Sequence, residues 1–406
     1  MKKIDAQNTA SISQTPKKNQ YLIPSEFEQQ EYIWLSWMES GFLGGEPRYE
    51  TILNALKEIV PHTKVRLFYG QQLMYNKEQM ENRIYKRLIE NKVDTARIKL
   101  FYNNKAYGAI QDPGPIFLRN SKGEFALADF RFRHPDKTVE LIDRNIATTF
   151  NLPYISSNMV TEGGGWQTNG KGTILLVEAV ELDRNADMSK YQIEQEYKRV
   201  LGVTKIIWLK KGLKEEEWGK LENGIYGIGT GGHMDEFCRF TDAHTIILAQ
   251  VSKEESEKNA IAKESFRRME ENLKILKQQT DQDGKPFKII RIPTAAIMTK
   301  RVAYNNLSER EKTWFDNVTQ NSVEFYLTTG YLNFVIANKV IVTSKYWKQG
   351  MPEEIRLKDE KAKAVLEKAF PNRNIVQIDC MPLHYDGAGL HCYSRNEPKR
   401  KHKVFQ

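Results

Sequence analysis

The chain has 406 residues, 40% of them hydrophobic and 11% aromatic, so it can bury a sizeable core and is not expected to be disordered as a whole. Its 61 basic and 52 acidic residues give a formal net charge of +9, with both signs mixed along most of the chain. The cysteines Cys238, Cys380 and Cys392 cannot build a disulfide framework, and the lack of a C-x-x-C pair argues against a zinc site. This cysteine usage is typical of a reducing compartment.

The two ends of the chain differ from its middle. Residues 1–20 open with basic residues but lack the apolar stretch of a signal peptide. They predict a disordered leader and a cytoplasmic protein, or a secreted one if a signal peptide has been removed. Residues 396–406 predict a basic, solvated tail, with attraction to anionic substrates or surfaces as the alternative. No Pro/Ser/Gly-rich linker interrupts residues 21–395, which predict a single domain.

Two classes of partner are not expected. The sequence contains no run of 18 apolar residues, so it predicts no membrane-spanning helix. It also lacks the interleaved aromatic and basic residues that are typical of nucleic-acid binding. The sequence does not indicate an oligomeric state.

Strand-like runs rich in Ile, Val, Phe and Tyr alternate with amphipathic helical stretches. In chain order, the sequence predicts a helix at 48–60, a strand at 65–70, a helix at 77–90, strands at 97–102, 115–120, 124–132 and 172–180, a helix at 190–202, strands at 205–212 and 244–251, a helix at 254–279, a strand at 288–293, a hairpin at 334–344, a helix at 358–370 and a strand at 374–381. Strand pairs followed by a helix recur roughly five times, which indicates a repeated structural unit. The charged helix at 254–279 is expected to be an insertion or an outer-face element.

Four short motifs join glycines or a turn to a polar group. They are QDPGPIF with Asp112, TEGGGWQ with Glu162, GTGGHMDEF with His233 and Asp235, and GAGLHCYS with Cys392. Glycines beside polar residues at strand ends indicate backbone that approaches a ligand closely. The spacing of His233 and Asp235 predicts that both point from one face of a strand. Polar neighbours on both sides of Cys392 predict an exposed thiol rather than a core residue.

These residue types together favour one kind of chemistry. A cysteine beside histidine and carboxylates indicates covalent nucleophilic catalysis. Several carboxylates without a plausible set of metal ligands indicate a cationic substrate, and a planar guanidinium matches carboxylates through its fork of donors. Each motif alone has a structural alternative: a buried thiol for Cys392, a hydrogen-bonded core histidine for His233, and a turn cap for Asp112. Glu162 could simply accept hydrogen bonds from the glycine amides.

In this order, the motifs D-x-G-P, E-G-G, G-H-x-D-x-F, Y-x-N-F and H-C resemble the agmatine deiminase and bacterial (Porphyromonas-type) peptidylarginine deiminase family. The segments IPSEFEQQEYIWLSW and LEKAFPNRNIVQID are also similar to that family, and the resemblance covers about residues 21–395. It implies an α/β fold of the pentein type, a five-bladed α/β propeller built from pseudo-fivefold ββαβ units. It also implies a catalytic domain that needs no metal and no organic cofactor.

The resemblance further implies roles for six residues: Cys392 as nucleophile, His233 as general acid and base, Asp112 and Asp235 as the grip on the guanidinium, Glu162 as a carboxylate near the substrate or His233, and Asn333 as an active-site amide. The thiolate would attack the guanidinium carbon, and His233 would protonate the departing ammonia. Water would then hydrolyse the thiouronium intermediate to a ureido product. His391, the neighbour of Cys392, is expected to point the other way in a structural role.

Three departures from the family pattern bear on the substrate. Gln111 precedes Asp112 where the family commonly has arginine, so a support of the site is expected to be missing. No acidic residue stands at 226–232, where relatives carry one that suits the distal amine of agmatine. Arg131 and Arg133 are spaced to lie on one strand face and suit a carboxylate, although both could be surface charges.

The predicted reaction is therefore the conversion of a peptidyl-arginine, with the arginine at the peptide C-terminus, to peptidyl-citrulline. Agmatine deimination to N-carbamoylputrescine is one alternative, and amidino transfer to an amine is another. The predicted partner is accordingly a small guanidino compound or an arginine-bearing peptide. A degenerate binding protein that only keeps the pocket is disfavoured, because Asp112, His233, Asp235 and Cys392 are all present.

Overall fold

The computed structural model describes residues 21–70, 75–104, 107–221, 224–315, 318 and 321–400. The predicted leader at 1–20 and the last six residues of the predicted tail lie outside the described residues. The described chain is a mixed α/β structure in which short sheets alternate with helices. No helix in these ranges combines the length and the apolarity needed to cross a membrane.

The strands, in chain order, are β1 (Tyr21–Leu22), β2 (Gln30–Ser36), β3 (Lys64–Gly70), β4 (Ile98–Asn103), β5 (Ile116–Asn120), β6 (Phe125–Arg131), β7 (Tyr154–Val160), β8 (Trp166–Thr168), β9 (Thr173–Val177), β10 (Lys205–Leu209), β11 (Trp218–Lys220), β12 (Tyr226–Ile228), β13 (Cys238–Phe240), β14 (Thr245–Gln250), β15 (Lys288–Pro293), β16 (Thr299–Ala303), β17 (Ser322–Tyr326), β18 (Val335–Ile336), β19 (Val340–Lys345), β20 (Asn374–Asp379) and β21 (Ser394–Pro398). The α-helices are α1 (Tyr49–Ile59), α2 (Lys77–Glu90), α3 (Ile142–Thr149), α4 (Glu178–Arg184), α5 (Lys190–Leu201), α6 (Lys253–Ser256), α7 (Ala260–Lys277), α8 (Glu309–Lys312), α9 (Glu353–Ala369) and α10 (Met381–His384).

One strand pattern recurs in five of the sheets. A short strand pairs antiparallel with the next strand, which pairs parallel with a third. The units with this pattern are β5–β6–β7, β8–β9–β10, β13–β14–β15, β18–β19–β20 and β21–β2–β3. In the last unit, a strand near the end of the chain pairs with strands near its start. The repeated unit expected from the sequence is therefore present.

A further sheet departs from the repeat. It contains β11, β12, β17 and β16, which the sequence does not predict as strands. Strand β12 pairs parallel with β17, so the segment before the G-H-x-D motif is tied to a distant part of the chain. A side chain at Gly387 would meet the carbonyl of Ile228, so this sheet packs directly on the glycine turn before Cys392. The sheet therefore forms one wall beside the cysteine motif.

Helix α5 shows how local sequence sets an element. Ser189 caps its first turn by accepting a hydrogen bond from the amide of Gln192, whose side chain accepts from the amide of Ser189. Gly202 ends the helix in the left-handed conformation, with φ of 71°, where a Cβ would be unfavourable. Between these ends, Tyr197 and Leu201 face inward and pack in a core with residues of β9. Capping and apolar spacing thus place the helix on its sheet.

The structure corrects several boundaries. The predicted strand at 172–180 ends at Val177, where α4 begins. The predicted helix at 254–279 is two helices, because the side chain of Asn259 accepts from the amide of Ala262 and starts α7 afresh. The predicted tail at 396–406 overlaps β21, whose last residues pair with β2 as far as Pro398. The central strand β2, buried along most of its length, was not predicted.

Candidate active site

Five segments that are far apart in sequence deliver polar side chains at equivalent positions. Each side chain lies a few residues before the short first strand of one repeated unit: Asp112 before β5, Glu162 before β8, Asp235 before β13, Asn333 before β18 and Cys392 before β21. These five strands are called the inner strands below. Because the same end of each inner strand carries a polar residue, the five side chains belong to one cluster. The cluster is largely buried.

Cys392 lies inside the cluster with only 3% of its surface exposed, so the prediction of an exposed thiol is wrong. Its Sγ lies 3.7 Å from Asp235 Oδ2 and 3.2 Å from Asn333 Nδ2. A Cβ at Gly389 would lie 2.5 Å from the Asn333 side chain, so the glycine turn is what allows that amide to approach. Burial, and then the charges of Asp235 and Glu236, raise the pKa of the thiol well above its usual value.

His233 directly precedes a short 3₁₀ turn (Met234–Glu236) that contains Asp235, so the two do not share a strand face as predicted. Its Nε2 lies 2.7 Å from Glu162 Oε2, and its Nδ1 lies 3.9 Å from Asp112 Oδ1. Burial opposes the charged imidazolium, but Asp112 and then Glu162 raise the pKa of His233 to about 9. His233 is therefore a cation at neutral pH.

Glu162 is held from two sides. Arg184 Nε contacts both of its carboxylate oxygens at 3.0 Å, and Arg184 Nη2 donates to the carbonyl of Thr230. Against the effect of burial, His233 and then Arg184 lower the pKa of Glu162 to about 2. Arg184 thus fixes the carboxylate that orients the His233 ring.

Asp112 has a looser attachment. Its Oδ1 accepts one hydrogen bond, 3.1 Å, from the amide of Gly164. A Cβ at Gly164 would lie 2.7 Å from His233 Nδ1, so only glycine fits between these side chains. Burial is the main effect that raises the pKa of Asp112 to about 6, with His233 opposing it and Glu162 adding to it.

Asp235 is held by a chain of buried charges. Its Oδ2 lies 2.7 Å from His391 Nδ1, and His391 Nε2 lies 2.9 Å from Glu26 Oε1. Arg239 in turn donates to Glu26, and its side chain is also buried. His391 therefore contacts the site, and the prediction that it points away is wrong. Against burial, His391 and then His233 lower the pKa of Asp235, whose Oδ1 has no hydrogen-bond partner among the described residues.

Three possible metal ligands lie close together. One ligand atom each of Asp235, Glu236 and Cys392 falls within 4.8 Å of the others. Asn333 Nδ2, however, lies 3.2 Å from Asp235 Oδ2, 2.6 Å from Glu236 Oε1 and 3.2 Å from Cys392 Sγ. An amide with two N–H donors therefore lies among the three possible ligands, and this geometry favours a hydrogen-bonded cluster over a metal centre.

The model of one protein family, the Porphyromonas-type peptidyl-arginine deiminases, matches residues 22–398. The chain belongs to this family. It is thus a member of the guanidino-group deiminases, hydrolases that act on C–N bonds of amidines, as the motifs predicted.

Curated and solved proteins agree with this assignment. Agmatine deiminase of Pseudomonas syringae pv. tomato is 24% identical over 407 residues, which cover 96% of this chain and 98% of the relative. The structure of Enterococcus faecalis agmatine deiminase has a TM-score of 0.73 at 23% identity and covers 96% of this chain and 99% of its own. A C. jejuni agmatine deiminase with Cys replaced by Ser, solved with substrate bound, has a TM-score of 0.67 at 23% identity and covers 94% and 97%. The chain shares the mixed α/β fold of these pentein-type deiminases.

Glu216 lies close to this cluster, and the sequence did not single it out. It is 1% exposed, and neither carboxylate oxygen has a hydrogen-bond partner among the described residues. Its Oε2 would lie 2.7 Å from a Cβ at Gly229, four residues before His233. Burial, and then the charges of Glu215 and Asp235, raise its pKa well above the usual value. A carboxyl group therefore does stand beside the 226–232 segment, supplied from the run of three glutamates at 215–217.

Arg395 is a second residue that the sequence did not assign. With its amide oriented to suit both neighbours, Gln111 accepts from Arg395 Nη1 at 2.7 Å and donates to the carbonyl of Ser394 at 2.6 Å. Arg395 Nε also donates to the carbonyl of Pro115, so the guanidinium braces both sides of Asp112. The support that Gln111 was expected to lack therefore comes from β21.

Arg131 and Arg133 are not brought into the cluster. The side chain of Arg131 is 49% exposed, with its Nε 3.5 Å from Glu140, and that of Arg133 is 54% exposed and pairs with Asp183 at 3.0 Å. Each arginine thus has a separate surface carboxylate as its neighbour. This arrangement corresponds to the surface-charge alternative.

Proposed function

We propose that the chain hydrolyses the guanidino group of agmatine or of a closely similar alkylguanidine that carries a distal ammonium, giving a ureido product and ammonia. The observation that carries this choice is Glu216, a buried carboxyl group without a hydrogen-bond partner among the described residues, beside Gly229 and coupled electrostatically to Asp235 and His233. Leaving such a group unpaired is costly, and a substrate ammonium would remove that cost. The relatives named as agmatine deiminases support the same choice.

The grip on the guanidinium is proposed to come from two carboxylates. Asp235 Oδ1 is unpartnered within the described chain, while Oδ2 is fixed by His391 and Asn333, so the free oxygen is the one available to the substrate. Asp112 has one oxygen on the Gly164 amide and keeps capacity for a further donor. A planar guanidinium between them would make charge-assisted hydrogen bonds to both.

The same cation would activate the nucleophile. In the free enzyme the raised pKa keeps Cys392 as a thiol, because burial, and then the neighbouring carboxylates, oppose a thiolate there. A bound guanidinium neutralises part of this negative charge and lowers the pKa of the thiol. The thiol releases its proton to solvent and the thiolate attacks the guanidinium carbon. A C–S bond forms while the C=N π electron pair moves onto nitrogen.

His233 is proposed to move the protons. As an imidazolium held by Glu162, it donates its proton to one nitrogen of the tetrahedral intermediate, and the C–N bond to that nitrogen breaks to release ammonia. The neutral His233 then accepts a proton from water as the water oxygen attacks the thiouronium carbon. The C–S bond breaks with its electron pair on sulfur, and the remaining hydroxyl proton passes to the thiolate as the ureido carbonyl forms, which restores the Cys392 thiol.

A C-terminal arginine of a peptide is the second candidate substrate, and the family description favours it. It would need a partner for the peptide carboxylate, for which the sequence suggested Arg131 and Arg133. Amidino transfer, in which an amine replaces water in the second step, is the third.

We also propose that the five repeated units close around the cluster as a propeller and that residues 21–398 form a single catalytic domain. The pairing of β21 with β2 and the equivalent placement of the five polar residues support both statements.

A substrate panel tests the proposal. Agmatine, arginine, a peptide with C-terminal arginine and a peptide with internal arginine are compared by a colour assay for ureido groups, with ammonia measured in parallel. Agmatine is expected to have the highest kcat/KM, and ureido product without ammonia would instead indicate a different reaction. A higher kcat/KM for the C-terminal arginine peptide would contradict the agmatine proposal.

Glu216→Gln sharpens this test. It is expected to raise the KM for agmatine by roughly 10- to 100-fold, the range for losing a hydrogen bond to a charged group, with a smaller change in kcat. Glu217→Gln is the matched control, because the neighbouring Glu217 pairs with Lys214 and Arg268 and is not part of the cluster. Equal KM values for the two variants would show that Glu216 does not bind the substrate.

A further inference from the structure

A cavity lies beyond the catalytic cluster, further along three of the inner strands. It is lined by residues of β5, β8 and β21 on one side and by the segment before β2 on the other. Its volume is about 40 Å³. Because one water needs roughly 10–15 Å³, this cavity has room for a few waters or for one small polyatomic ion.

Four residues that line this inner-strand cavity each keep one buried polar atom without a hydrogen-bond partner among the described residues. The atoms are Arg395 Nη2, Trp166 Nε1, Ser25 Oγ and Gln30 Oε1. The four residues are 3–5% exposed. Buried polar groups are rarely left unpaired, so four of them around one cavity indicate that something polar fills it. The guanidinium, indole and hydroxyl groups are donors, and the amide oxygen is an acceptor.

The charge around the cavity favours an anion. No carboxylate lies within ion-pair distance of the Arg395 guanidinium in the part of the chain that the structure describes, although Glu26 also lines the cavity. The carboxylate of Glu26 is already engaged by His391 and Arg239, two groups that lie outside the cavity lining. Burial, opposed by the charges of Glu26, Asp112 and Asp143, lowers the pKa of Arg395 to about 10, so it remains a cation at neutral pH that no carboxylate of the described residues contacts directly.

We propose that the inner-strand cavity binds one small monovalent oxyanion of the size of nitrate or hydrogencarbonate, against Arg395. Its oxygens accept from Arg395 Nη2, Trp166 Nε1 and Ser25 Oγ, and a planar oxyanion matches the planar guanidinium. Hydrogencarbonate, unlike nitrate, also carries a hydroxyl group, which donates a hydrogen bond to Gln30 Oε1. The proposed anion neutralises the arginine that braces Gln111 and Pro115 on either side of Asp112, and it does not depend on which guanidine is the substrate.

Thermal unfolding of the full chain tests this site. Nitrate and hydrogencarbonate are titrated against fluoride, a strongly hydrated anion, at constant ionic strength. Both oxyanions are expected to raise the Tm by about 2 to 5 °C at saturation, with hydrogencarbonate effective at the lower concentration. Trp166→Phe keeps an aromatic side chain but removes the N–H donor. For this variant, the concentration of each oxyanion that gives half of the Tm increase is expected to rise at least tenfold.

Trp208→Phe is the matched control, since its indole N–H donates to Glu194 and neither residue lines the cavity. Ser25→Ala provides a second variant that removes a single donor and leaves the aromatic wall intact. A crystal structure of the wild type in nitrate is expected to show planar density against Arg395 Nη2 and Trp166 Nε1. Equal Tm responses of the wild type and Trp166→Phe, or density for water alone, would overturn the proposal.

Discussion

The two carboxylates proposed to hold the guanidinium, Asp112 and Asp235, lie in opposite environments. Asp235 ends a buried chain of alternating charges that runs through His391 and Glu26 to Arg239, and its pKa is lowered. Asp112 accepts one backbone hydrogen bond, and its pKa is raised to about 6. One carboxylate is therefore a fixed anion, whereas the other gains or loses its charge near neutral pH. The first supplies a permanent grip, and the second makes the grip depend on pH and on the bound cation.

The thiol between these two carboxylates gives the largest expected effect. Cys392→Ala should reduce turnover by at least about 10³-fold, because it removes the group that forms the covalent intermediate. Cys238→Ala and Cys380→Ala are the controls, since burial raises the pKa of Cys238 above the usual range and that of Cys380 to about 12, and neither lies in the cluster. Steady-state rates with agmatine measure the effect. A near-normal rate for Cys392→Ala would refute the mechanism.

Removing each carboxylate charge tests the comparison directly. Asp235→Asn and Asp112→Asn should each cost about 3 kcal/mol or more in kcat/KM at neutral pH, since each removes a charge-assisted bond to a desolvated cation. The loss should be greater for Asp235→Asn, because it also takes the anionic partner from the buried His391. An equal or smaller loss for Asp235→Asn, measured under the same conditions, would show that the two carboxylates are equivalent.

The pH dependence of kcat/KM should follow the loosely held carboxylate and His233. As the pH falls through about 6, Asp112 binds a proton and loses the charge that holds the substrate, so the rate falls about tenfold per pH unit. As the pH rises through about 9, His233 loses the proton that the leaving ammonia needs, and the rate falls again. Asp112→Asn should abolish the acid limb and move the alkaline limb to lower pH, because the charge of Asp112 helps to raise the pKa of His233. An acid limb near 6 in that variant would assign it to another group.

The charge chain behind Asp235 predicts a positioning role for Glu26. Glu26→Gln should lower kcat/KM by on the order of tenfold, because the charge of Glu26 raises the pKa of His391, which in turn keeps Asp235 ionised and oriented. With that charge removed, His391 should lose its proton at lower pH, so the rate should begin to fall on the alkaline side before His233 deprotonates. Glu28→Gln is the control, since Glu28 pairs with Arg119 at the surface. A fall in rate without a displaced pH limb would indicate a structural role alone.

How well the sequence predicts the site depends on where each residue comes from. Asp112, Glu162, Asp235 and Cys392 lie in glycine-rich or turn motifs just before inner strands, so local pattern marks them, whereas Asn333 was indicated by the family resemblance. The repeated strand-pair-and-helix unit is likewise visible in hydrophobic periodicity.

The residues that the sequence missed contribute through tertiary contacts. Glu26 and Arg395 reach the cluster from the first segment and the last strand of the described chain. Nothing in their local sequence indicates that they contact His391 and Gln111. Glu216 lies in an unremarkable acidic run, and only the strand pairing of the added sheet brings it beside Gly229. The prediction that Cys392 is exposed was wrong for the same reason, because segments distant in sequence cover this locally polar stretch.

The smallest expected effect concerns Arg131 and Arg133. Both side chains are about half exposed, with separate carboxylates as neighbours, and exposed ion pairs contribute about 0–1 kcal/mol. Arg131→Ala and Arg133→Ala should therefore change the kcat/KM for agmatine by less than about threefold, and the same should hold for a peptide with C-terminal arginine. If the two arginines instead held the substrate carboxylate, each substitution would lower the kcat/KM for the peptide alone by the equivalent of about 2 kcal/mol or more, because it would break a charged pair with the substrate. Such a selective loss would establish the peptide as the substrate and place these two arginines, rather than Glu216, at the distal end of the binding site.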